Sequence, residues 1–246
     1  MLILVPSSEA KSSVGRGSRL APADLSFPPL AATRAAVLEA LIEVSGHPDA
    51  THRLGVRENL GELVHRNTTL RDAPIAAAEV VYAGVVFHAM GLADLDPASR
   101  RRAHAWVIVI SALWGAVRLC DRIPAYRLNG DVSLPGLGSV ASLWRESLGA
   151  AVLDALGEGL LIDLRSTTYA AFWRPPRTLG PWLATVRVLH ESDGRRSVVS
   201  HFNKATKGRL VRALLEEGDN PTTPGELADV LSGLGWDVEL GATERH

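Results

Sequence analysis

The chain has 246 residues, 46% of them hydrophobic, and a formal net charge of −1. This composition can supply a sizeable core, and the near-neutral charge excludes a whole-chain electrostatic attraction to nucleic acid. A single cysteine excludes an intrachain disulfide. The longest apolar stretch, Trp106 to Leu113, is too short to span a bilayer, and the first residues lack the basic leader of a signal peptide. We therefore expect a cytoplasmic protein with no membrane contact.

Hydrophobic patterning predicts strands and helices that alternate along the chain. The predicted strands are 1–5, 106–110, 160–164, 185–190, 197–201 and 236–240, with Asp193-Gly194 as a hairpin turn. The predicted helices are 28–45, 52–66, 139–156, 204–217 and 223–232, and 79–90 is an apolar run of ambiguous type. This order indicates an α/β fold: a single compact domain over residues 1–246, with a mixed sheet flanked by helices.

Several cofactor and metal patterns are missing from the sequence. Neither the glycine pattern of dinucleotide-binding folds nor that of P-loops occurs. The eight histidines lack the spacing of metal ligands. We therefore expect no cofactor and no metal.

Polar side chains concentrate where the predicted strands end. Such residues converge on one site in open α/β sheets. The candidate catalytic residues are Lys11, Tyr126, Arg127, Ser166, Tyr169, Lys204 and Lys207. The candidate ligand-binding residues are Ser7, Glu9, Tyr82, Ser111, Arg118 and Asp121. Together they favour a small anionic or nucleotide-like ligand, although each segment alone is more typical of ordinary loops and helix caps.

Lysine is scarce in this chain, which has 23 arginines but only Lys11, Lys204 and Lys207. A lysine kept in so arginine-rich a sequence favours a role for a compact ammonium that can lose its proton. All three lie in polar segments beside predicted strands. Chance placement of three residues is the alternative.

The segment 134–141, with the sequence L-P-G-L-G-S-V-A, resembles the hairpin of a helix-hairpin-helix DNA-binding motif. Gly136 and Gly138 allow close approach of the backbone to a phosphate, and free amides follow at the start of the next helix. We expect Ser139 and Arg145 to add contacts to DNA. The alternative is a Pro-Gly turn before an ordinary helix that Ser139 caps.

Five segments together carry a resemblance to a known family: 6–11 (P-S-S-E-A-K), 81–84 (V-Y-A-G), 111–127 (S-A-L-W-G to P-A-Y-R), 163–169 (D-L-R-S-T-T-Y) and 199–208 (V-S-H-F-N-K to K-G). They resemble the motifs of the YaaA family of bacterial peroxide-stress proteins, in the same order. The resemblance implies a cytosolic protein that limits free intracellular iron under peroxide stress. It also implies a compact α/β fold with a basic cleft, a helix-hairpin-helix-like element and binding to double-stranded DNA.

Two main functions remain open at this point. The first is a stress protein that binds duplex DNA through the hairpin and nearby cations. The alternative is an enzyme on a small anionic or nucleotide-like substrate, with a lysine as activated amine or anion clamp and a tyrosine that exchanges a proton. A sensor that binds the same ligand without turnover is a third possibility.

Overall fold

The computed structural model describes residues 1–15, 17–192, 195–197 and 200–241. The helices are α1 Ala31–Ser45, α2 Ala50–Arg53, α3 Gly61–His65, α4 Ala78–Val81, α5 Val85–Met90, α6 Pro97–Trp106, α7 Val140–Leu156, α8 Thr167–Ala170, α9 Ser200–Glu217 and α10 Pro224–Gly233. The strands are β1 Leu2–Pro6, β2 Ile75–Ala77, β3 Val107–Ser111, β4 Gly115–Arg118, β5 Arg122–Pro124, β6 Ser133–Leu134, β7 Gly138–Ser139, β8 Leu161–Asp163, β9 Leu183–Thr185, β10 His190–Ser192 and β11 Arg195–Ser197.

The main sheet contains, among the described residues, five strands in the order β4-β3-β1-β8-β9. β1 is parallel to β3 and β8, β9 is parallel to β8, and β4 is antiparallel to β3. The predicted mixed sheet is therefore confirmed. β1 is continuously apolar because it lies in the middle of the sheet with both faces covered. The carboxyl ends of β1, β3 and β8 meet at one edge, which is where the candidate site lies.

Helices cover the sheet and share its core. α7 packs against β4 and α1, and α6 packs against β1, β3 and α9. α5 and α9 cross closely at Gly208, where an added Cβ would lie 2.4 Å from the carbonyl oxygen of Val86. The buried apolar residues of these elements form one connected cluster, so the predicted α/β architecture with flanking helices is confirmed.

Several predicted helix boundaries are confirmed, and each coincides with a capping residue at the start or the end of the helix. The hydroxyl of Ser139 accepts a hydrogen bond from the amide of Ser142 and caps α7. Thr223 caps α10 in the same way, with Glu226 as donor. Gly218 follows α9 with φ +88°, a left-handed conformation that favours glycine and stops the helix.

The predicted helix over 52–66 is wrong, because the chain breaks it into short pieces. Gly55 has φ +57°, and the amide of Val56 donates to the carbonyl of Thr51, which closes α2 with a Schellman-type turn. Helical structure resumes only as a 3-10 turn at Glu58–Leu60 and then as α3. The break places residues 55–60 beside the candidate site.

Three strand predictions in the last third of the chain are also wrong. The predicted strand 185–190 is divided, since β9 ends at Thr185 within the main sheet and β10 begins at His190 and pairs with β11. The second predicted hairpin strand ends at Ser197, and Ser200 already begins α9. Asp193 and Gly194, the predicted turn, lie outside the described residues. The predicted strand 236–240 is not observed; it pairs with neither edge strand of the sheet, β4 or β9.

Candidate functional site

The backbone around Lys11 is held against the turn between α4 and α5. Lys11 and Tyr82 form an isolated antiparallel bridge. The amide of Ser12 donates to the carbonyl of Val81 at 2.9 Å. Gly84 permits the approach, because a Cβ there would lie 2.5 Å from the Cβ of Ser8. These contacts place the segment that follows β1 next to the V-Y-A-G segment, which lies 70 residues further along the chain.

The Lys11 side chain is half-buried between two aromatic rings. Its Nζ lies 3.9 Å from the ring centroid of Tyr126 and 5.6 Å from that of Tyr82, and it donates a 2.7 Å hydrogen bond to the carbonyl of Ser8. The ring faces attract an ammonium. Burial nevertheless lowers the pKa of Lys11 to about 7, with help from the charge of Arg127 and against the charge of Glu9. Amine and ammonium are therefore similarly populated at neutral pH.

This pKa has a measurable consequence for stability. We expect the wild type to gain stability relative to Lys11→Met as the pH rises from about 7 towards 10.5. In that window the folded protein has released the Lys11 proton, while the unfolded chain still binds it. The unfolded state therefore binds more protons, and raising the pH disfavours it. Urea midpoints of both proteins across this window measure the effect, and identical pH profiles would contradict the lowered pKa.

Serines at the ends of β1 and β3 form hydrogen bonds with buried tyrosines near Lys11. The hydroxyl of Ser111, at the end of β3, lies 2.7 Å from that of Tyr126, which lies 3.2 Å from that of Tyr82. Ser7, after β1, donates to the hydroxyl of Tyr169 at 2.8 Å. Burial raises the pKa of all three phenols. The phenols therefore stay protonated at neutral pH and can act as hydrogen-bond donors.

Arg127 supplies a fixed cation next to Lys11. Its Nη2 donates to the carboxylate of Glu9 at 2.8 Å, although the Arg127 side chain is only 10% exposed and that of Glu9 is 63% exposed. The backbone of Arg127 is held on both sides by Asn67, whose Oδ1 accepts from the Arg127 amide and whose Nδ2 donates to the Arg127 carbonyl. Sequence reasoning missed Asn67, since nothing in its local segment distinguishes it.

Lys11, Tyr126, Arg127 and Glu9 line a cavity of about 730 Å³. The predicted site residues Ser7, Tyr82, Ser111 and Tyr169 are not among the residues that line it. Its remaining wall comes from the loop after α2 and from neighbouring segments. The lining residues are Glu9, Ala10, Lys11, Ser13, Gly55, Val56, Arg57, Leu60, Leu63, Arg66, Ala125, Tyr126, Arg127 and Asn129. Two buried polar atoms of this wall, Nε of Arg127 and Oδ1 of Asn129, have no hydrogen-bond partner among the described residues.

Comparison with known protein families shows which family the chain belongs to. A family model described as peroxide stress protein YaaA matches residues 1–239. The chain belongs to the YaaA family. It is also similar to a UPF0246 protein of Streptomyces coelicolor, with 47% identity over 98% of this chain and 93% of the relative. UPF0246 proteins of Corynebacterium efficiens and Corynebacterium glutamicum (strain ATCC 13032) are 41% and 38% identical, over 98% and 97% of this chain and 95% of each relative.

Two residues of the long YaaA-like segment 111–127 lie away from the cavity. The carboxylate of Asp121 accepts from the amide and hydroxyl of Ser26 and from the amide of Arg118. The guanidinium of Arg118 donates to the carbonyl of Ala105. Both residues therefore tie the β4–β5 turn to its surroundings, and they do not line the cavity.

The remaining lysines and Ser166 also lie outside the cavity wall. Lys207 donates to the carbonyl of Leu164 at 3.1 Å, just after β8, and burial lowers its pKa while Asp163 raises it. Lys204 is exposed on α9, and Ser166 is exposed before α8. Of the three lysines, Lys11 alone is among the residues that line the cavity.

The predicted hairpin is present as β6, a tight turn and β7. Gly136 and Gly138 have φ +73° and +80°, and a Cβ on either would meet open space. Ser139 then caps α7, and Arg145 donates to the carbonyl of Ala171. The described stretch 107–133 before the hairpin contains strands and loops, so the first helix of a helix-hairpin-helix motif is not observed directly upstream.

The part of the chain that the structure describes contains no cluster of three or more metal-ligating side chains. Within the same residues, no helix is both long and apolar enough to cross a bilayer.

Proposed function

We propose that this YaaA-family protein binds a small anionic or nucleotide-like ligand in the Lys11 cavity and acts on it as part of a peroxide-stress response. The observation that carries the proposal is the placement of a lysine amine with a pKa of about 7 beside a buried guanidinium in one cavity. Strongly shifted pKa values in clefts are typical of functional sites. The volume of about 730 Å³ lies in the range of small-molecule sites.

The charges around Arg127 favour an anionic ligand. A guanidinium that is almost fully buried is paired with a carboxylate that is mostly in water. Because the Glu9 carboxylate is largely in water, its ion pair with Arg127 contributes little to stability. A ligand carboxylate or phosphate can therefore replace Glu9 on Arg127, and the buried guanidinium keeps an anionic partner. Arg57 and Arg66 line the same cavity and add positive charge near its wall.

The neutral form of Lys11 supports a chemical role in addition to binding. A free amine at neutral pH can take a proton or attack an electrophilic carbon. The protonated phenol of Tyr126 lies in the wall of the same cavity, and its hydroxyl is hydrogen-bonded to those of Ser111 and Tyr82. This division between one group that accepts a proton and others that retain theirs is common in acid–base sites.

Calorimetric titration with oxalate, inorganic phosphate and AMP tests this function. We expect at least one of the three to bind, and Lys11→Met to weaken that binding by about tenfold or more, because the ligand loses the N–H donor that Lys11 supplies beside Arg127. Arg71→Met is the matched control, since Arg71 is exposed and pairs with Glu39 on the surface. Absence of binding by all three anions, or equal binding by the two variants, would refute the proposal.

We further propose that the protein works in the cytoplasm and limits free iron during peroxide stress, as the family resemblance suggests. A deletion strain is expected to be sensitive to hydrogen peroxide and to recover with the wild-type gene. The Lys11→Met gene is expected to fail in that rescue at equal protein level. Full rescue by Lys11→Met would separate the cellular role from the cavity.

A second candidate function, binding of duplex DNA, is favoured by the open hairpin. Gly136 and Gly138 leave free space for a phosphate, and the start of α7 follows at once. We expect weak binding without sequence preference that falls steeply with salt. Joint substitution of both glycines by aspartate should abolish binding to duplex DNA in a low-salt fluorescence anisotropy assay. Gly157→Asp is the control, because Gly157 also has positive φ and open space but ends α7.

A further inference from the structure

The hydrogen-bond partner of Lys11 differs from that of a lysine that binds an anion by charge. The Nζ of Lys11 donates to a neutral backbone carbonyl, that of Ser8, while the nearby Glu9 carboxylate binds Arg127. A carbonyl can accept a hydrogen bond from a neutral amine as well as from an ammonium. Lys11 can therefore lose its proton and keep this contact, whereas a lysine that holds an anion by charge cannot.

We propose that the Lys11 amine forms an imine with a small 2-oxo acid or related carbonyl-bearing carboxylate, whose carboxylate replaces that of Glu9 on Arg127. This inference rests on the anion-binding function proposed above and names its substrate class. One guanidinium for the carboxylate and one amine for the carbonyl carbon lie on the same cavity wall.

The surroundings of Nζ suit a planar imine. The Tyr126 ring lies 3.9 Å from Nζ, a distance at which a flat carbon–nitrogen double bond stacks on an aromatic face. Burial that disfavours the ammonium favours the uncharged nucleophile, as in other lysines that form imines. The half-buried position of Lys11 leaves it accessible from the cavity.

The proposed step is a condensation without oxidation or reduction. The nitrogen lone pair of Lys11 forms a bond to the carbonyl carbon, and the amine gives one hydrogen to the oxygen to form a carbinolamine. The carbinolamine then loses its hydroxyl group and the second amine hydrogen as one water molecule. The product is a neutral imine that retains the carboxylate of the substrate.

Reductive trapping on the intact protein tests the imine. The protein is incubated with glyoxylate and cyanoborohydride, which reduces an imine to a stable secondary amine, and modified residues are mapped by peptide mass spectrometry. We expect Lys11 to be labelled about 100-fold faster than Lys204 at pH 7, because burial lowers the pKa of Lys11 to about 7 and the cavity holds the substrate beside it, whereas Lys204 is exposed on α9. The rate at Lys11 should fall as the pH drops below about 7. Labelling of the terminal amine of Met1 maps to a separate site on the first peptide.

Two comparisons show whether the cavity recognises the carboxylate of the substrate or whether Lys11 is simply a reactive amine. Acetaldehyde lacks the carboxylate, so we expect it to label Lys11 about tenfold more slowly than glyoxylate does. Arg127→Met should remove that preference, so that the ratio of the glyoxylate rate to the acetaldehyde rate falls from about ten to about one, whatever the change in the absolute rates. Equal rates for both aldehydes in the wild type, or equal labelling of Lys11 and Lys204, would overturn the proposal.

Oxalate distinguishes failure of the imine from failure of the binding site. It carries carboxylates but no aldehyde or ketone carbon, so it occupies the anion position without condensing. If oxalate binds in a manner that depends on Arg127 while glyoxylate does not label Lys11 preferentially, the imine is wrong and the anion site stands. If oxalate also fails to bind, both inferences are wrong for this class of ligand.

Discussion

Replacing Arg127 with methionine is expected to weaken oxalate binding by about 100-fold. Methionine keeps much of the side-chain volume and removes the guanidinium that now holds Glu9 at 2.8 Å. The ligand carboxylate would then enter a half-enclosed cavity without its main charge-assisted hydrogen bonds, which costs about 2–5 kcal/mol for a buried pair. Isothermal titration calorimetry of both proteins at fixed pH and salt measures the change.

Two further variants sharpen this result. Glu9→Gln is expected to strengthen oxalate binding, since the competing carboxylate is removed while the guanidinium stays in place. Arg102→Met is the matched control, because its guanidinium donates to the carbonyl of Leu215 in another part of the fold. A loss below about threefold for Arg127→Met, or an equal loss for Arg102→Met, would show that Arg127 does not bind the anion.

Replacing Arg34 with methionine is expected to lower the free energy of unfolding by about 3–5 kcal/mol. Arg34 is 1% exposed, and its guanidinium donates to the carbonyls of Trp114, Ser26 and Ala116 at 2.7–2.9 Å. Burial lowers its pKa to about 10, which is still high enough to keep it charged at neutral pH. The substitution removes the donor from two buried carbonyls and one partly buried carbonyl, and each loss is costly.

Denaturant unfolding of the variant and of Arg53→Met measures this effect. Arg53 pairs with Asp49 one helical turn away at the surface, and exposed pairs of this kind contribute little to stability. We therefore expect a large shift in midpoint for Arg34→Met and almost none for Arg53→Met. Similar small shifts for the two variants would mean that the three carbonyls find other donors.

The sequence predicts the architecture well because the signals for it are local. A continuous apolar run such as Leu2–Val5 indicates a buried strand, and a serine before a periodic apolar segment indicates the start of α7. Parallel strands place their carboxyl ends at one edge, so the neighbouring positions of Ser7 and Ser111 follow from the pairing of β1 with β3. The helix predicted over 52–66 is wrong for a local reason too, because Gly55 adopts a positive φ that ends α2 and the apolar periodicity around it does not show this.

Other features depend on contacts between residues far apart in the chain. Asn67 could not be identified from its neighbours, because its role is to hold Arg127 sixty residues later. Arg34 lies in a helix where an arginine indicates a solvent-facing position, yet it is buried under the β3–β4 turn. Asp121 and Lys11 belong to equally polar segments, but only Lys11 faces the cavity.

The amino-acid sequence by itself determined the α/β class, the edge of the sheet at which polar groups gather and the scarcity of lysine. The tertiary structure alone decided which of those groups share a cavity and which only stabilise turns. The physical reason is that hydrophobic periodicity reports the burial of a local segment, whereas a shifted pKa arises from desolvation and charges that distant segments supply. The pKa of Lys11 is therefore a property of the fold, set first by its burial and then by the charges of Arg127 and Glu9.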